Sequence, residues 1–381
     1  MQPLKTYGIG LLGCGFIGRV HAFSHQVMHY YYPGLPWRAR LAAVCTSRPQ
    51  TAQQVAQELG FESWTTDPAE VIERPGVDVV HVCTPNACHK DELLAVLAAG
   101  KHVYCDKPLT ADWAEAKQVL AALEGYRGVH QMTLQNRFYP ATMCARQLMA
   151  EGALGELTCF RAVFLHAGNV DRSKAHGWKF EPAGGVLNDL ATHVVDLMQH
   201  LIGRFDEVFC ADRIWARERP VRGNARRPAP VEAEDHACMT CRRDDGLVGT
   251  IEATKLATGM QDELRFEIHG ERGALAFNLM EPNWLEFYDA GAAGEPMGGR
   301  AGFTRIPCVR NYPERGASWP YAKSSIGWTR SHVACLHNFM AAVHDGRRAE
   351  PGLEVGAQLQ QFVDAAKLSA REGRFVRVET V

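Results

Sequence analysis

Strand-like and helical stretches alternate through the first third of the chain, and this alternation limits the fold more than any other feature. Apolar runs predict strands at Tyr7–Leu12, Leu41–Cys45, Val77–Thr84, Val103–Cys105 and Val129–Leu134. Helical patterns separate them, at Phe16–Tyr30, Gln50–Leu59, Pro68–Ile72, His89–Ala99 and Ala111–Leu123. Strands that are apolar along their whole length and alternate with helices indicate a parallel sheet covered on both faces. The sequence therefore predicts an α/β domain at this end of the chain.

A glycine-rich segment, Gly13-Cys-Gly-Phe-Ile-Gly18, directly follows the first predicted strand and opens the first predicted helix. In that setting glycines permit a tight turn and let a pyrophosphate approach the helix N-terminus, where free N–H groups and the helix dipole favour an anion. We expect a dinucleotide to bind here, held by Gly13, Gly15, Phe16, Ile17 and Gly18.

The segment after the second strand bears on the choice between NAD and NADP. Thr46, Ser47 and Arg48 stand where an NAD-preferring site often carries Asp or Glu for the adenosine ribose. None of them repels a 2′-phosphate, and the Arg48 guanidinium suits one. The alternative is an Arg48 that stacks on adenine, which is compatible with NAD. The residues favour NADP and leave NAD open.

Two later strand ends lie at the edge of the sheet where ligands of such folds bind. The residues after the central strand are expected to line the cofactor, namely Thr84, Pro85, Asn86 and His89. Lys107, followed by Pro108, ends the next strand, near the expected nicotinamide. An ammonium there can hydrogen-bond a substrate hydroxyl and stabilise a developing alkoxide. From these residues alone, a surface lysine before a turn is the competing interpretation.

The pattern changes after about Gly128, where consecutive strands follow one another without helices between them. Such a succession indicates an antiparallel sheet. We predict a Rossmann domain over residues 1–127 and an α+β domain with a large, mostly antiparallel open sheet over residues 128–381. Within the second domain, Arg213–Pro230, rich in arginine and proline, is predicted to be a loop or flap between two strands.

The stretch Gly184–Asp196 is predicted to be an amphipathic helix that carries Asp189 and His193 four residues apart. On an α-helix that spacing puts both side chains on one face. A carboxylate that supports an imidazole suits a general acid/base, although a plain hydrogen-bonded pair has the same spacing. In the preceding loop, His166 and Trp178 stand among polar residues. We expect these two to contact the hydroxyls and the C–H face of a sugar.

Composition excludes several partners. The formal net charge is −2 and charged residues make up 22% of the chain, which gives no footprint for nucleic acid or for an acidic membrane. The first strand begins close to Met1 and no apolar run reaches membrane-spanning length, so a cytoplasmic protein is expected. We also expect no metal site: Cys238 and Cys241 would point to opposite faces of a strand, and His21, His25 and His29 fit a packed or solvated helix stripe.

Taken together, the motifs resemble those of the glucose-fructose oxidoreductase, inositol dehydrogenase and rhizopine-catabolism family, written Gfo/Idh/MocA. The matching stretches, in the family's order and approximate spacing, are Gly13–Gly18, Cys83–Asn86 with His89, Asp106-Lys-Pro108, Gln135–Phe138 and Gly184–His193. The resemblance implies cofactor contacts for Asp106 and Asn136, and catalytic roles for Lys107, Asp189 and His193. It also implies a homodimer or homotetramer assembled through the C-terminal sheet. One departure is Asp106, which stands where the family usually has Glu.

These features predict an NAD(P)-dependent enzyme that moves a hydride between nicotinamide and a secondary hydroxyl or ketone of a sugar, glycoside or polyol. His193 would exchange the hydroxyl proton, Asp189 would orient the imidazole or bind a neighbouring hydroxyl, and Lys107 would stabilise the oxyanion. Two alternatives stay open. One is a reductase of a keto-sugar, including nucleotide-linked sugars that would meet the arginines of Arg213–Arg227. The other is a nicotinamide-binding sensor without turnover.

Overall fold

The chain forms two compact units. The computed structural model describes residues 4–292, 294, 301–311, 319, 321 and 323–381. The first unit comprises Met1–Phe138 and Pro313–Gln360, and the second comprises Tyr139–Tyr312 and Gln361–Val381.

The first unit is built on a six-stranded parallel sheet with the order β3-β2-β1-β4-β5-β6. Its strands are β1 Lys5–Leu12, β2 Trp37–Cys45, β3 Trp64–Thr65, β4 Val79–Val82, β5 His102–Cys105 and β6 His130–Met132. All four residues of β4 are buried, as expected for a central strand with both faces covered. The strand order reverses between β1 and β4, which is the point where doubly wound folds bind their ligands.

Helices connect these parallel strands. They are α1 Phe16–Tyr31, α2 Pro49–Leu59, α3 Pro68–Ile72, α4 Asn86–Ala98 and α5 Trp113–Ala122. The side chains of Asp67 and Asp112 accept hydrogen bonds from backbone N–H groups at the starts of α3 and α5, satisfying donors that a helix leaves open. The predicted α/β alternation is therefore confirmed, with boundaries displaced by a few residues.

The second unit is built on a nine-stranded sheet and contains the helices α6 Pro140–Ala150 and α7 Thr192–Ile202. The strands of the large sheet up to residue 307 are β7 Leu157–Leu165, β8 Glu207–Arg213, β11 His236–Arg242, β12 Val248–Thr254, β13 Glu263–Gly270, β14 Gly273–Asn278, β15 Trp284–Asp289 and β16 Thr304–Pro307. Strands β9 Glu218–Val221 and β10 Asn224–Pro230 form a separate two-stranded sheet. Neighbouring strands in the large sheet run antiparallel, apart from β7 and β12, which pair in parallel. The predicted class, a Rossmann domain with a mostly antiparallel second sheet, is confirmed.

Two local expectations in this unit are corrected. The stretch predicted as one α-helix over Gly184–Asp196 begins with a π-helical turn at Leu187–Ala191, and regular α7 starts only at Thr192. The predicted loop Arg213–Pro230 contains a β-hairpin, because β9 and β10 pair antiparallel. At the π-helical turn a contact distant in sequence, from the Leu187 N–H to the Glu234 carboxyl, accompanies the change in winding.

The end of the chain contributes α8 Thr329–Asp345, α9 Leu353–Glu372 and β17 Val376–Arg377. Helix α8 packs in the first unit, where Val333, Leu336 and Phe339 join the apolar cluster that includes Tyr7 and Ile9. Residues 313–360 thus belong to the first compact unit, although the predicted division at residue 127 gave them to the second. A helix that is apolar on one face carries no sequence signal for which sheet it covers.

No helix in the described part of the chain combines the length and the apolar character that crossing a bilayer requires.

Candidate functional site

The predicted cofactor residues of the first unit line up along one edge of its sheet. The glycine-rich segment follows β1, Thr46 follows β2, Thr84 follows β4, Lys107 follows β5 and Asn136 follows β6. Because all six strands are parallel, their carboxyl ends share this edge. The structure therefore places these predicted cofactor residues at the same edge of the sheet.

The glycines of the segment before α1 have separate physical roles. Gly13 has a φ of 79° and a Cβ there would lie 2.6 Å from the Cys83 carbonyl oxygen, so that position requires glycine. A Cβ on Gly18 would lie 2.3 Å from the Gly13 oxygen. A Cβ on Gly15 would meet no atom within 4 Å, so packing does not explain this glycine. The open space beside Gly15, at the N-terminus of α1, fits the approach of a pyrophosphate.

The segment after β2 stands beside this glycine turn, since the Gly13 N–H donates to the Cys45 carbonyl oxygen over 2.9 Å. Ser47 and Arg48 are exposed, and Arg48 is the residue from which α2 starts. The Thr46 hydroxyl donates to the Arg48 carbonyl oxygen over 3.1 Å. Both side chains expected to meet the adenosine ribose are thus accessible.

His89 is buried, and its ring lies between the carbonyl oxygens that follow two strands. Its Nδ1 lies 2.9 Å from the Pro108 carbonyl oxygen and its Nε2 lies 2.9 Å from that of Thr84. Burial lowers its pKa. The neutral imidazole has one N–H and therefore donates to one of these two carbonyl oxygens. Asn86 is buried at the start of α4.

Lys107 is half-buried at the end of β5, and the preceding Asp106 is also half-buried. The charge of Lys107 acts on His332 of α8, a buried histidine without a distinguishing sequence motif. Burial, followed by the charge of Lys107, lowers the pKa of His332 to about 3, so this imidazole is neutral at physiological pH. Asn136 is buried in a 3₁₀ turn, Gln135–Phe138, that follows β6.

In the second unit, close packing fixes the start of the segment that carries Asp189 and His193. A Cβ on Gly184 would lie 2.3 Å from the Lys179 carbonyl oxygen. Gly185 has a φ of 83°, and a Cβ there would collide with the Glu234 carboxyl group. That carboxyl accepts the Leu187 N–H over 2.7 Å. The glycine pair and Glu234 therefore set where the helical turn begins.

Asp189 is clamped by two lysines. The Lys179 Nζ donates to its Oδ2 over 2.8 Å and the Lys255 Nζ donates to the same oxygen over 2.5 Å. The Asp189 side chain is 15% exposed and that of Lys255 is 8% exposed, whereas Lys179 is 48% exposed. Two ammonium groups at a mostly buried carboxyl favour the carboxylate form. Asp189 is thereby prepared to act as a hydrogen-bond acceptor.

His193 lies in the first turn of α7 and is half-buried. Its ring packs against Phe164 of β7, with the ring centroids 5.8 Å apart. A π-helix has more residues per turn than an α-helix. The π-helical turn therefore changes the direction of His193 relative to Asp189 from the one that an unbroken α-helix would give.

His166 and Trp178, the two predicted sugar contacts, approach the Asp189 cluster from the preceding loop. The His166 Nδ1 accepts the Gly168 N–H over 2.8 Å, so the neutral ring carries its proton on Nε2. Its pKa is lowered mainly by burial, and among nearby charges Asp189 raises it and Lys255 lowers it. Trp178 is 37% exposed and the Lys179 Nζ lies 5.5 Å from its ring centroid.

Sequence reasoning missed Lys255, which directly follows β12. The parallel pairing of β7 with β12 brings the ends of these strands together, and the His166 N–H donates to the Thr254 carbonyl oxygen over 2.9 Å. The only signal in the sequence was a lysine at a strand end. That signal does not predict which residues Lys255 contacts, because the sequence has no pattern that indicates the parallel pairing of β7 with β12 inside a mostly antiparallel sheet.

Two arginines of the Arg213–Arg227 stretch, Arg213 and Arg219, have contacts within the protein. Arg219 is buried, and it donates to the carbonyl oxygens of Asp171 and Asn169 over 2.6 and 2.8 Å. The Arg213 guanidinium stacks over Trp215, 4.9 Å from the ring centroid. These contacts explain two of the arginines without a phosphate ligand.

Comparison with known proteins yields two family matches along the chain. Residues 7–133 match the oxidoreductase family with an NAD-binding Rossmann fold, and residues 142–276 match the GFO/IDH/MocA C-terminal domain. The first match covers the glycine-rich segment and Lys107, and the second covers Asp189 and His193.

Similar proteins are sugar and polyol dehydrogenases. The chain is 30% identical to levoglucosan dehydrogenase from Pseudarthrobacter phenanthrenivorans, over 99% of this chain and 100% of the relative. It is 25% identical to inositol 2-dehydrogenase from Rhizobium meliloti, over 98% and 99% of the two chains. A solved structure of levoglucosan dehydrogenase in complex with NADH and levoglucosan has a TM-score of 0.93 and 30% identity, covering 98% of this chain and 100% of that one.

Proposed function

Because the chain belongs to the Gfo/Idh/MocA family and is an NAD-dependent dehydrogenase acting on CH–OH groups, we propose that it oxidises a ring hydroxyl of a neutral sugar, glycoside or polyol. The observation that carries this proposal is the Asp189 carboxylate held by Lys179 and Lys255, with His166 and Trp178 approaching from the same loop. A fixed acceptor, an imidazole donor and an aromatic face match the hydroxyls and C–H face of a sugar ring.

The proposed roles follow the chemistry of each group. When bound, nicotinamide accepts the hydride at its C4 atom. His193 takes the proton of the reacting hydroxyl, and Lys107 stabilises the negative charge that develops on that oxygen. Asp189 accepts a hydrogen bond from a substrate hydroxyl, since the two lysines keep it ionised. For reduction of a ketone the same groups act in reverse, with His193 returning the proton.

In the first unit, the residues proposed to hold the dinucleotide lie at the carboxyl edge of the parallel sheet. The glycine turn and the N-terminus of α1 would take the pyrophosphate, and Thr84, Pro85, Asn86, Asp106 and Asn136 would line the remainder. His89 is proposed to position the Thr84 and Lys107 segments through its two carbonyl contacts.

NADP is proposed as an accepted cofactor besides NAD. The support is that Ser47 and Arg48 are exposed next to the glycine turn and neither repels a 2′-phosphate. Binding of the two cofactors is measured separately by quenching of protein fluorescence. Arg48→Ala should weaken NADP more than NAD, whereas Arg127→Ala, an exposed arginine on the chain leading into the amino end of β6, should change neither. If Arg48→Ala weakened the binding of NAD and NADP equally, Arg48 would not bind the 2′-phosphate.

The main test is turnover of the purified full chain with each cofactor and a panel of substrates. The panel contains levoglucosan, an inositol, a methyl glucoside and a nucleotide-linked sugar, with nicotinamide reduction followed by absorbance. Oxidation of a neutral ring alcohol is expected, and turnover of the nucleotide-linked sugar alone would overturn the neutral-substrate proposal. A cytoplasmic location and assembly as a homodimer or homotetramer stay predictions.

A further inference from the structure

A group of metal-ligating side chains lies in the second unit on strands β11 and β12. His236 and Cys238 are two residues apart on β11, so they share one face of the sheet. Ala237, Met239 and Cys241 alternate with them and are buried on the other face. Cys238 pairs directly with Glu252 of β12, which stands on the same face as His236 and Cys238.

The three side chains converge. The Cys238 Sγ lies 3.3 Å from the His236 Nε2, and the His236 Nδ1 lies 3.7 Å from a Glu252 carboxylate oxygen. One ligand atom from each residue falls within 4.8 Å of the other two. Ligand atoms around a tetrahedral Zn²⁺ stand about 3.3 to 3.7 Å apart, as follows from metal–ligand distances of about 2.0 to 2.3 Å. The two distances above run to different ring nitrogens of His236, so binding one ion through a single nitrogen requires side-chain rotations that shorten separations of up to 4.8 Å to this range.

We propose that His236, Cys238 and Glu252 bind one divalent transition-metal ion of the Zn²⁺ class. The thiolate, imidazole and carboxylate are the three ligand types that Zn²⁺ takes in proteins, whereas Mg²⁺ and Ca²⁺ prefer oxygen ligands. Three protein ligands leave a fourth tetrahedral position for water. This site does not use the Cys238-Met-Thr-Cys241 spacing, because Cys241 is buried on the opposite face of the strand.

The backbone around the cluster restricts how far the ligands move. Both strands have partners on each side, since β11 lies between β12 and β8, and β12 lies between β11 and β7. On β8 the residue opposite Cys238 is Ala211, which has a small side chain and no ligand atom of its own. Ligands that are held on paired strands lose little conformational entropy when an ion binds.

Cobalt titration of the full-length, tag-free protein in a non-thiol reductant tests the site. Co²⁺ takes the same ligands as Zn²⁺, and a thiolate ligand gives it a near-ultraviolet charge-transfer band. We expect a band that saturates at one Co²⁺ per chain and that Zn²⁺ displaces. Cys238→Ser should abolish it, and Cys88→Ser, which removes another exposed cysteine, should leave it unchanged.

The remaining ligands are tested by affinity. His236→Gln and Glu252→Gln are each expected to weaken Co²⁺ binding by at least about ten- to hundredfold, because removing only a group that orients a metal ligand already costs that much. Circular dichroism of each variant checks that the sheet is intact. A wild-type protein without the band, or a band that survives Cys238→Ser, would overturn the proposal. Because nicotinamide turnover is not the readout, this result is independent of the proposed dehydrogenase function.

Discussion

At the scale of single residues, Asp189 is the group whose environment says most about its chemistry. Burying a carboxylate is costly unless charged partners compensate, and here Lys255 and Lys179 both donate to its Oδ2. The two lysines differ in exposure, 8% against 48%, so water screens them to different degrees. The buried Lys255 should therefore control Asp189 more strongly than the exposed Lys179.

Replacing Lys255 by Met is predicted to lower kcat/KM by about ten- to hundredfold, because it removes a charge-assisted hydrogen bond of about 1.5 to 3 kcal/mol from Asp189. Lys179→Met, at the exposed partner, should cost less than about fivefold. Steady-state kinetics over a range of pH measure both variants, and Lys255→Arg should recover part of the loss. Equal effects from the two methionine variants would contradict the assigned dominance of Lys255.

At the scale of secondary-structure elements, the turn between β1 and α1 separates glycines needed for folding from a glycine that leaves room for a ligand. Gly13 has a positive φ and abuts the Cys83 carbonyl, whereas a Cβ on Gly15 would enter open space. Substitution to alanine should therefore have different consequences at these two positions of one motif.

Gly13→Ala is predicted to destabilise the protein by about 1 to 3 kcal/mol, because alanine would be strained at that φ and would clash with backbone. Gly15→Ala should leave the free energy of unfolding within about 0.5 kcal/mol of wild type and weaken NAD binding tenfold or more, about 1.4 kcal/mol. Urea unfolding and NAD titration of both variants give the comparison. A Gly15→Ala protein with wild-type NAD affinity would show that the pyrophosphate does not approach there.

Elements with strong local signals could be predicted from the sequence. The β1 strand, its glycine turn and α1 follow from an apolar run, three glycines and a helical pattern, and the structure has them in place. The π-helical turn at Leu187–Ala191 and the β9–β10 hairpin could not be predicted. In the first case Glu234, 47 residues away from Leu187, fixes the winding, and no local pattern reports such a contact.

At the scale of the whole molecule, the first unit contains a row of neutral buried histidines. The His25 Nε2 and the His81 Nε2 are 3.0 Å apart, as are the Nδ1 atoms of His81 and His21. Burial lowers the pKa of His25 to about 3 and holds those of His21 and His81 well below their usual range. In the unfolded chain each would titrate near 6.5, so the folded state takes up fewer protons at mildly acidic pH.

The sign of the pH effect follows. The pKa values of these histidines are lower in the folded state than in the unfolded chain. Above about pH 6.5 they therefore have no pH-dependent effect on the free energy of unfolding. Below that pH the free energy of unfolding falls by about 1.4 kcal/mol per pH unit for each residue. Urea unfolding at pH 7 and pH 5 should show this loss. His25→Leu should reduce the slope, whereas His29→Leu, one turn further along α1 and exposed, should leave most of it. Identical slopes in both variants would contradict the prediction.

The sequence did not predict which unit the later segments of the chain belong to. Residues 313–360 return to the first unit and place His332 of α8 under the influence of Lys107. A boundary drawn where strand alternation stops assumes that the chain does not return. The placement of the first-unit residues at one sheet edge was predictable because parallel strands end at the same edge, whereas the position of Lys255 depends on a strand pairing that only the folded chain reveals.

Cofactor binding and proton transfer are proposed to depend on residues of different units, so substitutions in each unit should affect NAD affinity and turnover differently. All residues proposed to contact the dinucleotide belong to the first unit, while Asp189 and His193 belong to the second. His193→Gln is therefore predicted to lower kcat by about 10²- to 10⁴-fold, the usual contribution of a general acid/base, and to leave the Kd for NAD within about twofold. Lys107→Met is predicted to lower kcat as well, and it alone should also perturb NAD binding, because it follows β5 at the cofactor edge. Stopped-flow single turnovers give the chemical step, and fluorescence titration gives the affinity. If His193→Gln lost NAD affinity in parallel with turnover, the imidazole would belong to cofactor binding, and proton transfer would have to be assigned to another group.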